Sequence, residues 1–141
     1  MIISGVTITP GTGKNLQGRS TTSGTTTSIA NGDTANLDLS GYKGYALMKI
    51  QTDNAAWIRV YDSDASRTSD SARSQGNDPT PGTGVLAEAI ATGAETVIFS
   101  PAVVCYNNEV TPATVIPISV TNNSGSAQTI TITLTILQLE D

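Results

Sequence analysis

Apolar and polar residues alternate along most of this chain, and the alternation is clearest near its C terminus. Residues 129–139 read TITITLTILQL, in which isoleucine or leucine occupies every second position and threonine lies between them. A strand with one buried face and one threonine face produces this period of two. The period slips at Ile136 and Leu137, which predicts a bulge or a strand leaving its sheet.

Three further segments show the same pattern and are joined by turn residues. VIPISVTN, residues 115–122, is followed by NNSGS, and this Asn- and Gly-containing connection predicts a C-terminal β-hairpin with residues 129–139. Pro117 has no N–H group, so we expect its strand at a sheet edge or with a bulge. YALMKIQT and AAWIRVYD, joined by TDN, predict a second strand pair.

Four further segments, NLDLS, VTIT, GVLAEAIA and ETVIFSPAVVCYNN, predict the remaining strands, and one segment could be helical. The candidate helix is Ala65–Gln75, where Arg67, Asp70 and Arg73 share one face. The sequence therefore predicts an all-β protein: a single β-sandwich, jelly-roll-like, of about eight antiparallel strands. The predicted core consists of Met48, Ile50, Ile58, Val60, Ile118, Val120, Ile130, Ile132 and Leu134.

The first 35 residues differ from the rest because they are rich in Gly, Thr and Ser. We expect residues 1–35 to form an extended N-terminal arm and residues 36–141 to form the sandwich. The arm has too few apolar residues to offset a cost of ~1–2 kcal/mol per ordered residue on its own. We therefore expect contact with another chain to hold it. The candidate partner-contact residues are Ile2, Ile3, Val6, Ile8, Leu16 and Ile29.

The length and net charge of the chain limit the number of domains and the partners that we expect. The chain has 141 residues, which suits one domain, and a formal net charge of −5. A nucleic-acid-binding face is normally basic, so nucleic acid is not an expected partner. An acidic chain is also not attracted to an anionic membrane surface. The first ten residues lack a basic region, and no apolar run approaches ~18 residues, so we expect neither a signal peptide nor a membrane span.

The residues that usually perform catalysis are scarce. Histidine is absent, which removes the commonest general base and metal ligand. The single cysteine, Cys105, lies among apolar neighbours and is expected to be a buried core residue. No base stands near any serine or threonine, and the glutamates are scattered. We therefore expect no enzymatic activity, no catalytic residue and no cofactor.

The segment TPGTGKN, residues 9–15, is similar to a phosphate-binding loop but does not match its signature. The pattern G-x-x-x-x-G-K-[ST] would need a glycine where Ile8 stands and a hydroxyl where Asn15 stands. The residues that follow are poor helix formers, whereas the loop requires a helix. We interpret this segment as a turn in the arm.

Two other groups of residues leave alternatives open. Asp62, Asp64 and Asp70 are typical of acidic calcium loops, but Arg67 and Arg73 stand where an EF-hand needs glycine and glutamate. A helix-capping loop with Asp–Arg pairs is the favoured interpretation, no metal is expected, and a calcium site of another kind is the alternative. A groove for sugar is the second alternative, and it would be lined by Tyr42, Tyr45, Trp57 and Tyr61.

Residues 42–109 and 116–140 together resemble a small β-sandwich found among virion proteins of tailed bacteriophages. The resemblance rests on an alternating strand pair (YALMKIQTDNAAWIRVYD), a loop rich in Ala, Arg and Ser (ASRTSDSARSQ) and then DPTPG with further strands (GVLAEAI, ETVIFSPAVVCYNNE). IPISVTNNSGSAQTITITLTILQLE is similar to the end of the same module. The resemblance covers about two-thirds of the chain, and no catalytic residues come with it.

The resemblance implies a structural role in the virus particle. The expected function is that of a capsid decoration (cement) protein, which binds the head shell and stabilises it. Its expected partners are the major capsid protein and copies of itself, as a dimer or trimer, and its expected location is the capsid surface rather than the tail. The alternative is a tail, baseplate or fibre module that binds a host glycan or receptor, because such proteins use similar sandwiches.

Overall fold

The computed structural model describes residues 2–3, 6–7 and 17–141 and contains ten strands and one helix there. Two short strands, β1 (Ile2–Ile3) and β2 (Val6–Thr7), pair with each other. The other elements are β3 (Arg19–Thr25), β4 (Thr34–Ser40), β5 (Gly44–Thr52), β6 (Ala56–Tyr61), α1 (Asp64–Ser69), β7 (Val85–Ala91), β8 (Glu95–Tyr106), β9 (Val115–Asn122) and β10 (Thr131–Glu140).

Strands β3 to β10 form two antiparallel four-stranded sheets. Sheet I has the order β3-β10-β5-β8, and sheet II has the order β4-β9-β6-β7. Every connection between consecutive strands crosses from one sheet to the other, except the connection between β6 and β7. Eight strands arranged in this way form a jelly roll, so the predicted β-sandwich is confirmed.

Both predicted hairpins are wrong, because their strands lie in different sheets. Strand β9 pairs with β4 and β6, whereas β10 pairs with β3 and β5. The buried Asn122 side chain explains why the NNSGS segment crosses between sheets: its amide donates to the carbonyls of Ile29 and Ser126, both at 2.8 Å. In the same way β5 belongs to sheet I and β6 to sheet II.

Pro117 also lies elsewhere than predicted. Its strand, β9, is an inner strand of sheet II, between β4 and β6. The pairing of β9 with β6 ends at Ile118, so Pro117 stands beyond that pairing and faces Asp38 of β4. The missing N–H group is tolerated at a local end of the pairing rather than at the edge of the sheet.

The predicted core is confirmed at every position except Met48. The other predicted core residues are fully buried between the sheets and pack with Leu47 and Ile136. Met48 is only partly buried, because β5 contains a bulge at this point: Leu47 and Lys49 pair with adjacent residues of β10. The extra residue changes the phase, so that Leu47 and Ile50 both face the core. The phase slip predicted at Ile136 corresponds to the same irregularity.

The arm boundary predicted at residue 35 needs correction. Strand β3 is the edge strand of sheet I and pairs with β10 along its whole length. Its outward hydroxyls bond those of β10, with Ser23 2.6 Å from Thr133. Its inward side chains are small. A Cβ atom on Gly24 would lie 2.5 Å from the Leu39 side chain, so the backbone of β3 approaches the core closely there. Described residues 19–35 therefore belong largely to the sandwich, in spite of their composition.

The predicted helix is shorter than the segment that suggested it. Helix α1 spans Asp64–Ser69, and its N-cap, Ser63, accepts a hydrogen bond from the N–H of Ser66 at 3.1 Å. Asp70 forms the C-cap. The helix and the loop after it, residues 62–84, connect β6 to β7 and lie across the outer face of sheet II. We call these residues the covering segment.

Candidate functional site: the two outer faces of the sandwich

The covering segment buries the outward side chains of β6 and β9, the two inner strands of sheet II. Trp57, Arg59 and Tyr61 alternate with the core residues of β6, yet each is no more than 3% exposed. Polar residues on this face are buried too, including Ser119 and Thr121 of β9. Strand β6 is thus buried on both faces, and its outward side chains contact the covering segment instead of solvent.

Asp70 and Arg73 form the first ionic contact of the covering segment with sheet II. The Asp70 carboxylate accepts a 2.8 Å hydrogen bond from the Tyr61 hydroxyl and bonds of 2.7 and 2.9 Å from Arg73. Arg73 also pairs with Glu88 of β7 at 3.0 Å. Two charged side chains that are almost fully buried are thereby joined to two strands of the sheet.

Arg67 forms the second ionic contact, at the other side of the sheet. Its guanidinium bonds Asp64 within α1 and reaches Asp38 of β4 at 2.8 Å. It also donates to the carbonyls of Leu37 and Ile118, at 3.0 and 3.3 Å. The arginine thus fixes the helix to β4 and β9, and its role is structural.

The buried groups of this network have perturbed pKa values. Burial, together with the hydrogen bond to Asp70, raises the pKa of Tyr61 to about 12. Burial alone would raise the pKa of Asp70, but its hydrogen bonds from Arg73 and Tyr61 outweigh that effect and hold the pKa below its ordinary value. The pKa of Arg73 is raised, chiefly by its hydrogen bond to Asp70. Asp70 and Arg73 therefore remain ionised near neutral pH, and Tyr61 remains a neutral hydrogen-bond donor.

The aspartates of the alternative calcium site belong to these hydrogen-bonded contacts. Asp62 accepts hydrogen bonds from the Ser63 and Ser66 hydroxyls, and Asp64 and Asp70 each bind an arginine. The Asp–Arg pairs of the favoured interpretation are thus present. In residues 17–141, no group of three or more acidic or cysteine side chains is placed to hold a metal ion.

The aromatic rings proposed for a sugar groove do not form one. Trp57 is 3% exposed, and both Tyr45 and Tyr61 are 1% exposed. The Arg59 guanidinium stacks on the Trp57 ring, with its Cζ atom 3.8 Å from the ring centroid. Tyr42 is half-buried and packs against the core. These rings offer no common face to a sugar.

The outer face of sheet I has no such cover in the described part of the chain. Its side chains form rows across the sheet, because each residue pairs directly with its neighbours. One row contains Arg19, Leu137, Ala46 and Val104, and the next contains Thr21, Thr135, Lys49 and Ile98. Ile98 and Val104 are 66% and 69% exposed. We call Ala46, Ile98, Val104 and Leu137 the apolar face.

The outer face of sheet I is polar at the end that lies beyond the row of Ile98. The row after Ile98 contains Ser23, Thr133, Gln51 and Thr96. The exposed Leu139 and Tyr106 lie at the apolar end instead, next to Gly44. Sheet I thus grades from a threonine surface to one that exposes several large apolar side chains, and a group of exposed apolar side chains is typical of a binding surface.

Only some of the candidate partner-contact residues of the arm are among the residues that the structure describes. Ile2 and Ile3 lie in β1 and Val6 lies in β2, whereas Ile8 and Leu16 lie outside the described residues. Ile29 packs against the core of its own chain, and its backbone pairs with Gln128. Ile29 therefore makes an intramolecular contact, and its contact with a partner stays a prediction.

Cys105 is a free, buried thiol, as predicted. It faces the core beside Tyr45, and burial raises its pKa to about 11. Such a thiol is protonated at neutral pH and is inert as a nucleophile.

No protein-family model matches the chain, and no curated protein matches it either. Within the part of the chain that the structure describes, no helix has the length and apolar character needed to cross a membrane.

The apolar face was missed by the sequence argument, although a signal for it exists. In β8, apolar residues occupy consecutive positions, as in Val97-Ile98-Phe99 and Val103-Val104-Cys105. Successive side chains of a strand point to opposite faces, so a run of consecutive apolar residues indicates a strand with two apolar faces. One face of β8 joins the core, and the other faces outward on sheet I.

Proposed function

We propose that this protein is a non-enzymatic structural protein of a bacteriophage virion, a capsid decoration protein that binds the head shell and stabilises it. Its partners are the major capsid protein and further copies of the chain, as a dimer or trimer. It is located on the capsid surface. The observation that carries the proposal is the apolar face, which is exposed on sheet I, whereas the inner strands of sheet II are covered.

Several features support a binding role over a catalytic one. The jelly roll is a fold used by viral capsid proteins, although a fold alone does not determine function. The chain has no histidine, and the buried ionic network joins arginines to carboxylates rather than presenting them to a substrate. The resemblance to phage virion sandwiches supports the same role.

The alternative, a tail, baseplate or fibre module that binds a glycan, has less support. Exposed aromatic rings around Trp57 would favour it, but Trp57 is buried and stacked by Arg59. The apolar face suits a protein partner better than a sugar, because apolar side chains exclude the water that sugar hydroxyls bind.

Co-sedimentation with purified heads that lack the protein tests the proposal. We expect the wild-type chain to saturate the heads and Val104→Asp to lose at least about tenfold in affinity, because the substitution buries a charge in the contact. Thr96→Asp is the matched control, since it adds the same charge at the polar end of the same strand and face. Both variants should melt like the wild type.

Two outcomes would contradict the proposal. The first is a wild-type chain that does not sediment with heads at any concentration. The second is equal binding by Val104→Asp and the wild type, which would remove the apolar face from the contact.

A further inference from the structure

A cleft of about 350 Å³ lies between the covering segment and the outer face of sheet II. Trp57 and Arg59 form part of its wall on the sheet side, and Ser74 and Gln75 form part of its wall on the covering segment. Asn123, at the end of β9, donates to the Gln75 side chain at 2.8 Å and connects the two sides. The cleft is distinct from the apolar face, which belongs to the other sheet.

Arg59 is the unusual residue of this cleft. It is 2% exposed, and the only hydrogen bond of its guanidinium to the described residues is the one that Nη2 donates to Thr121 at 2.8 Å. Its Nε atom is shielded from solvent and has no hydrogen-bond partner there. A guanidinium carries five N–H donors, and a buried cation normally has a carboxylate beside it.

The carboxylates of the cluster are already engaged. Asp70 and Glu88 are both bound by Arg73, and among the described residues no carboxylate lies within 4.0 Å of the Arg59 guanidinium. Burial lowers the pKa of Arg59 below its ordinary value, which means that the surroundings do not fully compensate the charged form. Arg67 and Arg73 each have two carboxylate partners, so Arg59 differs from both.

We propose that this cleft is a binding site for a carboxylate, with Arg59 as the residue that receives it. A planar carboxylate matches the planar donor edge of a guanidinium. A single negative charge also fits Arg59, the one guanidinium of the cleft that has no carboxylate partner among the described residues, whereas a phosphate dianion would leave one charge uncompensated in a chain of net charge −5.

The neutral part of the lining indicates what carries the carboxylate. Thr34, Ser74, Gln75 and Asn123 supply hydroxyl and amide groups around the cleft. These groups can bond the backbone on either side of an acidic residue. The stacked Trp57 ring has no open face for a sugar. The carboxylate is therefore an aspartate or glutamate side chain of a protein partner.

Trp57 fluorescence reports binding at Arg59, because Trp57 is the only tryptophan of the chain and Arg59 stacks on its ring. The probe is N-acetyl-aspartate methylamide, titrated at constant ionic strength while Trp57 fluorescence is recorded. The matched ligand control is N-acetyl-asparagine methylamide, which has the same shape without the charge. We expect a saturable change with the aspartate compound and none with the asparagine compound.

Variants connect that change to the cleft. Arg59→Gln should weaken the binding of the aspartate compound by about tenfold or more, because the charge-assisted hydrogen bonds are lost. Ser74→Tyr changes an exposed residue, so the fold is preserved, and it should weaken binding by filling the cleft. Arg19→Gln removes an exposed arginine from sheet I and should bind like the wild type. Thermal melts establish whether each variant is folded. If Arg59→Gln does not fold, the binding of the aspartate compound by Ser74→Tyr tests the site instead.

Three results would overturn the inference. They are a wild-type chain with no saturable change, a folded Arg59→Gln that binds like the wild type, or a Ser74→Tyr that binds like the wild type. Glucuronate serves as the comparison for an acidic sugar. If it binds more tightly than the aspartate compound, the carboxylate belongs to a sugar and the assignment to a protein side chain is wrong.

Discussion

Two Asp–Arg pairs in the covering segment have the same spacing and differ in burial, so they allow a controlled test of what holds this segment in place. Asp64–Arg67 and Asp70–Arg73 are both separated by three residues. The Asp64 side chain is 69% exposed, whereas the Asp70 side chain is 5% exposed. Replacing each aspartate by asparagine removes one charge and nearly preserves the shape.

Asp70→Asn should destabilise the protein by about 2–3 kcal/mol, because hydrogen bonds to charged groups contribute about 1.5–3 kcal/mol and Arg73 retains Glu88 as a partner. For a chain of this length, that loss lowers the melting temperature by about 8–12 °C. Asp64→Asn should cost less than about 1 kcal/mol, because exposed ion pairs contribute little. Thermal melts at pH 7 measure both.

The pH dependence gives a second measurement of the same pair. The pKa of Asp70 is lower in the folded protein than in the unfolded chain. Its stabilisation is therefore complete above the unfolded pKa, about 4, and is lost as the pH falls through the folded pKa. The difference in stability between the wild type and Asp70→Asn should shrink below about pH 4. Equal melting temperatures for Asp64→Asn and Asp70→Asn at pH 7 would refute this reasoning.

Three other predictions concern the core and the N-terminal region. Ile132→Ala should cost about 2–5 kcal/mol, because it leaves a cavity in a fully buried position, and an unchanged melting temperature would show that the position is not in the core. Cys105 should resist a thiol reagent at pH 8 until the protein unfolds, and rapid labelling of the native protein would contradict its burial and its pKa of about 11. Deleting residues 1–16 should leave the sandwich folded, whereas deleting residues 1–30 removes β3 and should unfold it; equal melting temperatures for the two truncations would show that β3 contributes nothing.

The sequence predicted the strands well because a half-buried strand leaves a local signal. Alternation of apolar and polar residues places Ile130, Ile132 and Leu134 in the core, and all three are fully buried. The same signal does not say which strands are neighbours. In a jelly roll, consecutive strands cross between sheets, and a turn sequence such as NNSGS looks alike in a hairpin and in a crossing. The hairpins were therefore predicted wrongly from correct strands.

The assignment of residues 19–25 to an arm has a different cause. Ser and Thr on β3 form a strand because β10 offers a matching row of threonine hydroxyls, and Gly24 fits where a side chain would meet Leu39. These are long-range contacts, and composition cannot report them. A segment of low apolar content can therefore belong to a sheet when its partner strand supplies the core contacts.

The candidate sites depended on long-range contacts in the same way. Arg67, Asp70 and Arg73 were correctly interpreted as partners in Asp–Arg pairs, since their spacing is local. The cleft at Arg59 brings together residues from β4, β6, the covering segment and the end of β9, which no local pattern connects. The apolar face is likewise formed by three strands that are distant along the chain.

Cryo-electron microscopy of the phage particle in which the proposal places this chain tests the proposed function most directly. The proposal predicts a jelly roll on the outer surface of the head, with Ala46, Ile98, Val104 and Leu137 facing a capsomer or a neighbouring copy. Density for the chain only in the tail or baseplate would contradict it. A decorated head in which these residues face solvent would contradict the assignment of the apolar face.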